Sequence, residues 1–268
     1  MNPALLRSSI SIWWEDTIVL NYFRADVRRI LADKSHVFSM MLPFVAFFAL
    51  LYFPGRTQQV TSVSLVASAT NIVDWLCMVI GLFEMIAVFS EDFKVKTMQV
   101  AIGLGISRTQ VIFCKLLEVM FLIVLDCIML ILLLMVNTVI FSTGMPLVVF
   151  KDLFCVLLVK GIMCLAINTS ITMAVLFVTQ STILAIFVNV CVGCDALGML
   201  LTLGTMFGFD WIETLKLNRL SISHFMGLMH SRLVLGQFSV AGFVGMCAYF
   251  GAGLLATCKL FSKQELDF

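Results

Sequence analysis

Charge is what this sequence has least of: Asp, Glu, Lys and Arg together make up 12% of its 268 residues, against about a quarter in a water-soluble domain. With 61% hydrophobic residues and a mean hydropathy of +1.08, that scarcity excludes an ordinary soluble domain and indicates an integral membrane protein. Motifs for chemistry are missing as well. No Gly-x-x-x-x-Gly-Lys-Ser/Thr phosphate loop occurs, so ATP is not bound here by that route. The three histidines, His36, His224 and His230, are scattered, and there is no His-Glu-x-x-His helix or Gly-x-Ser-x-Gly elbow. No catalytic residue and no metal ligand is therefore expected. The nine cysteines fall mostly inside apolar runs at irregular spacing, as small buried hydrophobes rather than a disulfide framework, and Cys191-x-x-Cys194 reads as packing. Low-complexity tracts, internal repeats and a soluble insert are lacking, which leaves one membrane domain.

What is present is a series of apolar runs. Six spans, each near the roughly 20 residues that cross about 30 Å of hydrocarbon, are expected at about 36–54, 68–90, 116–141, 153–178, 182–208 and 238–261. The expected fold is thus an all-α integral membrane protein with six transmembrane helices over 36–261. The first run lacks a small-residue cleavage site and is not read as a removable signal peptide. In segment 1–35, Leu20, Phe23, Val27, Ile30 and Leu31 share one face while Arg24, Arg28, Arg29 and Lys34 lie elsewhere, the pattern of a basic amphipathic helix in the membrane interface. The excess of Lys and Arg in the N-terminal segment, around Lys94 to Lys115 and in the tail at 262–268 places both termini in the cytoplasm. A very short connection near Gln180 makes the fourth and fifth spans a tight hairpin. The external connection 209–237, with Trp211, Ile212, Leu215, Leu217, Leu220, Phe225 and Met226, is too apolar for an exposed loop and predicts short helices folded back on the membrane, with a binding cap as the alternative. In the last span Ala241, Gly245, Ala248, Ala252 and Ala256 give small-residue spacing for close helix approach.

The polar island from Glu91 to Glu118 interrupts these runs. Met98, Ala101, Ile102 and Gly105 recur at helical spacing with Lys94, Lys96 and Gln99 off that face, which predicts a short surface helix from Phe93 to Leu104. Gly105 would end it in a left-handed conformation. Ser107-Arg108-Thr109-Gln110 then supplies a capping box, with Ile106 and Val111 as a hydrophobic staple, and a new helix runs through Lys115 and Glu118 into the bilayer. The segment reads as a cytoplasmic lever.

Ionisable groups inside spans are costly and turn toward protein or water. Asp74, Cys77, Gly81 and Glu84 follow helical steps on the second span; Glu118, Asp126 and Asn137 share about a third of the circumference of the third; Lys160, Cys164, Asn168 and Thr172 line the fourth. With Asp195 in the fifth, they suggest a translocation route or an ion pair in which Lys160 opposes Asp126 or Asp195. Interhelical glue is the alternative.

The text Glu91, Thr97, Gly105-Ile106-Ser107-Arg108-Thr109-Gln110 and Cys114-Lys115-Leu116-Leu117 resembles the intracellular coupling region of ABC-2 type permeases, the membrane subunits of a class of bacterial ABC exporters. Cys114 stands where a small Gly or Ala is usual, and Val95-Lys96 where Asn-Gly is frequent. The resemblance implies a coupling helix over 91–117 between the second and third spans, with Glu91, Lys96, Thr97, Gln99, Ser107, Arg108, Gln110 and Lys115 coupling to a separate ABC ATPase that carries ATP and Mg. It implies no cofactor on this chain, a second permease domain as homodimer or heterodimer, a bacterial cell membrane location and no nucleic acid. The implied activity is export of an amphipathic, bacteriocin-like peptide or another membrane-partitioning compound. Drug, ion, lipid or polysaccharide export is the alternative, followed by an ATP-independent channel or an intramembrane enzyme.

Overall fold

A computed structural model describes residues 19–57, 61–95, 97–103, 105–141, 151, 154–155, 157–209, 211 and 214–263. Among them there are helices and turns and no strand. The elements in order are α1 (19–32), α2 (Lys34–Thr57), α3 (Ser62–Val95), α4 (Thr97–Gly103), α5 (Arg108–Ile140), a π-helical segment (Leu157–Cys164), α6 (Leu165–Thr179), α7 (Thr182–Gly193), α8 (Ala196–Met206), a 3-10 turn (Leu217–Leu220), α9 (Ile222–Val234) and α10 (Val240–Lys263).

Among the described residues four helices are long and apolar enough to cross a membrane: Lys34–Phe53, Arg108–Ile140, Gly161–Thr179 and Val240–Lys263. A fifth crossing is available if α7 and α8 count as one, and Leu76–Phe89 of α3 is a shorter apolar stretch. The protein is membrane-embedded in this sense. On α5 the residues Phe113, Leu117, Phe121, Val124 and Ile128 form an exposed apolar stripe at helical spacing, which suits hydrocarbon and not water. The opposite face buries Ile112, Val119, Ile123 and Leu130 against α2 and α3, in a core that also holds Phe47, Met85, Phe89 and Phe177.

Local chemistry sets the breaks between helices. Asp33 separates α1 from α2, accepting from Ser35 N–H at 2.9 Å and capping the second helix. Thr61 and Ser64 exchange side-chain and backbone bonds at 3.1 and 3.2 Å at the start of α3. Gln180 takes a left-handed conformation, φ 50°, and Ser181 caps α7, so α6 and α7 form the tight hairpin that the short connection anticipates.

Several expectations are corrected. The fifth apolar run is not one helix: α7 and α8 meet at a 57° bend across Cys194 and Asp195. The fourth includes a π-helical segment, Leu157–Cys164, where Gly161 lets the backbone approach so closely that an added Cβ would lie 3.0 Å from Cys127 Sγ. The short helix of the polar island starts at Thr97, because 93–95 still belong to α3. In α10 the close approach follows the expected stripe only at Gly245: Ala241, Ala248 and Ala252 are exposed, while Gly242, Gly253 and Thr257 are buried. A side chain at Gly253 would run into Ser170 of α6, and one at Gly245 into the Phe225 ring of α9. Sequence spacing identifies small residues but cannot say which of two adjacent faces meets a neighbour.

Within the expected external connection, α9 buries Ile222 and Met229 against Val159, Ile167 and Met246 in a second, smaller core. Tyr249 of α10 donates its hydroxyl to the Leu220 carbonyl and ties the preceding turn down.

Candidate functional site

The corner between α4 and α5 is closed from both sides. Gly105 sits at φ +99°; its N–H donates to Ile102 O at 3.0 Å and that of Ile106 to Ala101 O at 3.2 Å, the paired bonds that stop a helix at a left-handed glycine. Ser107 then starts α5. Its hydroxyl accepts from Gln110 N–H at 3.2 Å and its own N–H donates to Gln110 Oε1 at 2.8 Å, a complete capping box. Ile106 and Val111 are both buried beside it. Gln99 is half-buried on α4.

Arg108 is not a bare docking group. It donates to the carbonyls of Phe261 at 2.9 Å and Ser262 at 3.3 Å, with its guanidinium 5.7 Å from the Phe261 ring centre, so it grips the end of α10. Lys115 is likewise no surface contact: it has no exposed area, ion-pairs with Asp26 of α1 and with Glu118 at 3.0 Å, and lies 5.4 Å from the centre of the Tyr22 ring. Arg29 adds a 2.7 Å bond to Asp26. The side chains of Glu91 and Thr97, and all of Lys96, lie outside those described.

A second charged group forms deeper, where Glu84 of α3 meets Asp126 of α5 within hydrogen-bonding reach. A carboxylate only accepts, so this contact is a hydrogen bond when a proton lies between the two. His36 of α2 approaches Glu84 Oε1 at 3.6 Å, and all three groups are buried. Three helices therefore converge on one titratable cluster. Asn137, one of the expected inward residues, is buried on α5 and donates to Leu133 O of its own helix at 3.1 Å.

Between α6 and α7, Asn168 donates to Asn189 Oδ1 at 3.3 Å, with Asn189 in turn pointing its amide at Met85 Sδ, 3.8 Å away. Thr172 is fully buried nearby in sequence on the same helix. The expected partner Lys160, and Asp74 on α3, have side chains outside those described. Asp126 faces Glu84, and its expected pairing with Lys160 lies outside the described residues. Asp195 sits at the α7–α8 bend in a left-handed conformation, φ 50°, accepting from Gly198 N–H at 3.3 Å and Ser223 N–H at 3.2 Å. Cys194 beside it places Sγ 3.6 Å from Met78 Sδ, a packing contact.

No family model matches the chain, and no curated protein matches its sequence.

Asp26, His36 and Asn189 are site residues that the sequence reading passes over. For Asp26 a signal exists: it falls between Phe23, Val27 and Ile30 on the apolar face of α1, where a carboxylate needs a buried cation. His36 carries a weaker one, an imidazole at the start of an apolar run. Nothing in the spacing pairs Asn189 with Asn168, since that requires knowing how the hairpin is rotated.

Proposed function

We propose that the chain is the membrane-spanning permease subunit of an ATP-driven exporter of the ABC-2 type. In this reading it crosses a bacterial cell membrane six times with both termini in the cytoplasm; α1 lies in the interface and α4 is the coupling helix. A separate ABC ATPase carries ATP and Mg, and a second permease domain, identical or related, completes the pathway. The substrate is an amphipathic, bacteriocin-like peptide or another membrane-partitioning compound; small drugs, ions, lipids and polysaccharides are the alternative cargo.

The observation that carries this reading is the stiffness of the Gly105–Ser107 corner. A surface helix closed by a glycine stop and followed at once by a full capping box converts a push on α4 into movement of α5 rather than into bending of the turn. A passive channel does not need such a joint. Arg108 and Lys115 then act from inside, by fastening the corner to α10 and α1, while Gln99 and the island's Glu91, Lys96 and Thr97 are the candidates for contact with the ATPase.

The test is purification from native membranes followed by reconstitution. An ATP-hydrolysing subunit is expected to accompany the chain, with hydrolysis stimulated by amphipathic peptides and peptide transport lost without ATP. Ion flux through the chain alone, with no ATPase attached, would replace this reading with a channel.

A further inference from the structure

We infer that the open cavity of ≈ 520 Å³ at the α7–α8 bend binds an ammonium-bearing amphiphile, with Asp195 as its counter-ion. As a statement about ligand chemistry it stands without the ATPase; as a statement about exported cargo it rests on the function proposed above.

Asp195 is a buried carboxylate with a charge that the described residues only partly answer. It is 8% exposed, and it accepts from two neutral backbone N–H groups, those of Gly198 and Ser223. The N-terminus of α8, which it caps, offers about half a positive charge. Among the described residues no Lys, Arg or His nitrogen lies within ion-pairing distance of it. The contrast is with Asp26, which in the same protein has both Lys115 and Arg29. A charge left without a counter-ion in an apolar region is expensive, and each of its oxygens still has room for another donor.

The walls of the cavity fit a cation with an apolar body. Thr202, Asn218, Ser221 and Ser223 bring hydroxyls and a carboxamide to the side of Asp195, while Met199 and Leu203 of α8 line the same space. Among the described residues no basic side chain lines the cavity. An anion would meet a carboxylate here, and an uncharged apolar molecule would leave that carboxylate unanswered. A primary ammonium supplies three donors, and the broken apolar helix puts the carboxylate where backbone irregularity lines a cavity rather than lipid. The left-handed backbone at Asp195 is compatible with Asp or Asn, so the residue's geometry does not require its charge.

That last point sets up the test. Asp195→Asn removes the charge and keeps a helix cap through its one carboxamide oxygen, giving up one of the two bonds that the Asp195 oxygens accept from Gly198 and Ser223. The purified chain, in nanodiscs of zwitterionic lipid and without any ATPase, is titrated with a fluorescent lysine-bearing amphipathic peptide, the same peptide with its amines acetylated, and one with glutamate in place of lysine. The wild-type chain is expected to bind the amine form about tenfold or more tighter than the acetylated form, the worth of a hydrogen bond to a charged group, and Asp195→Asn to abolish that preference while the variant remains folded. Thr202→Trp, on an exposed position of the wall, should block binding of the amine form by filling the space. Equal binding of amine and acetylated peptides by the wild type, or an undiminished preference in Asp195→Asn, overturns the inference; if that variant does not fold, persistent binding in Thr202→Trp does so. Loss of ATP-driven transport with peptide binding intact would count against the export reading alone.

Discussion

Lys115 and Asp26 close an ion pair across 89 residues of chain, between the first described helix and α5, with Lys115 fully enclosed. This pair makes α1 part of the helical body and not only a float on a lipid surface. Its charges were removed from water together, and so the loss of one is felt by the others.

Lys115→Met should therefore lower stability by about 3–5 kcal/mol, because Asp26 and Glu118 are left as buried carboxylates around an apolar side chain. Asp26→Asn, Glu118→Gln and Lys115→Met combined should recover most of that loss. Thermal unfolding in detergent reads both; a single mutant as stable as the parent would mean that the cluster is hydrated.

At the corner, Ser107→Ala removes the hydroxyl that holds Gln110 N–H and should cost about 0.5–2 kcal/mol. Gln110→Ala takes away the reciprocal bond, and the double mutant should cost less than the sum of the two, since either change already opens the box. Membrane insertion should stay normal. In a reconstituted exporter, Ser107→Ala should also lower transport per ATP hydrolysed; unchanged coupling with a measurably loosened corner would disconnect the joint from function.

For Glu84 and Asp126 the informative comparison is amide against alkyl. Glu84→Gln keeps a donor for Asp126 and should be tolerated within about 1 kcal/mol, whereas Glu84→Ala strands a buried acceptor at a cost of about 1–3 kcal/mol. A double-mutant cycle over Glu84→Ala and Asp126→Ala should give a coupling of about 0.5–3 kcal/mol. An infrared carbonyl band from a protonated carboxyl, present in the parent and absent from Glu84→Gln with Asp126→Asn, would show the shared proton directly. Additive effects and no such band would mean that the two groups act separately.

The α6–α10 seam offers a test between neighbouring positions. Gly253→Val should destabilise by about 1–3 kcal/mol through collision with Ser170, while Ala252→Val, one residue earlier on the exposed face, should fall within about 0.5 kcal/mol of the parent. Equal effects at the two positions would reverse the assigned face.

The helical, membrane-embedded character of the chain was legible because it depends on composition and run length, which no tertiary contact alters. The corner was legible for a related reason: Gly105, Ser107 and Gln110 act on atoms within a few residues of themselves, so their spacing already contains their geometry. What sequence could not supply was rotation and partner choice. Glu84 and Asp126 are both visible as inward carboxyls, yet their meeting depends on the azimuth of two helices, which spacing along one helix does not contain. Lys115 and Arg108 were visible as basic residues of the island, but their capture by Asp26 and by the Phe261 and Ser262 carbonyls comes from parts of the chain far away in sequence. The bend at Cys194–Asp195 left no mark in hydropathy, because both arms are equally apolar.

The grip of Arg108 on α10 has a mechanical meaning at the other end of that helix. α10 has 24 residues, about 36 Å of rod at 1.5 Å per residue, and a helix of that length transmits a push along its axis with little compression. Its lower end is held by the α5 corner, and near its other end Gly242 lies close against the α9 backbone at Phe225 and Met229, with no side chain between to cushion the contact. The same α9 carries the Ser223 N–H that Asp195 accepts. An axial displacement of the corner would therefore reach α9, and through Ser223 the α7–α8 bend, along a single rod.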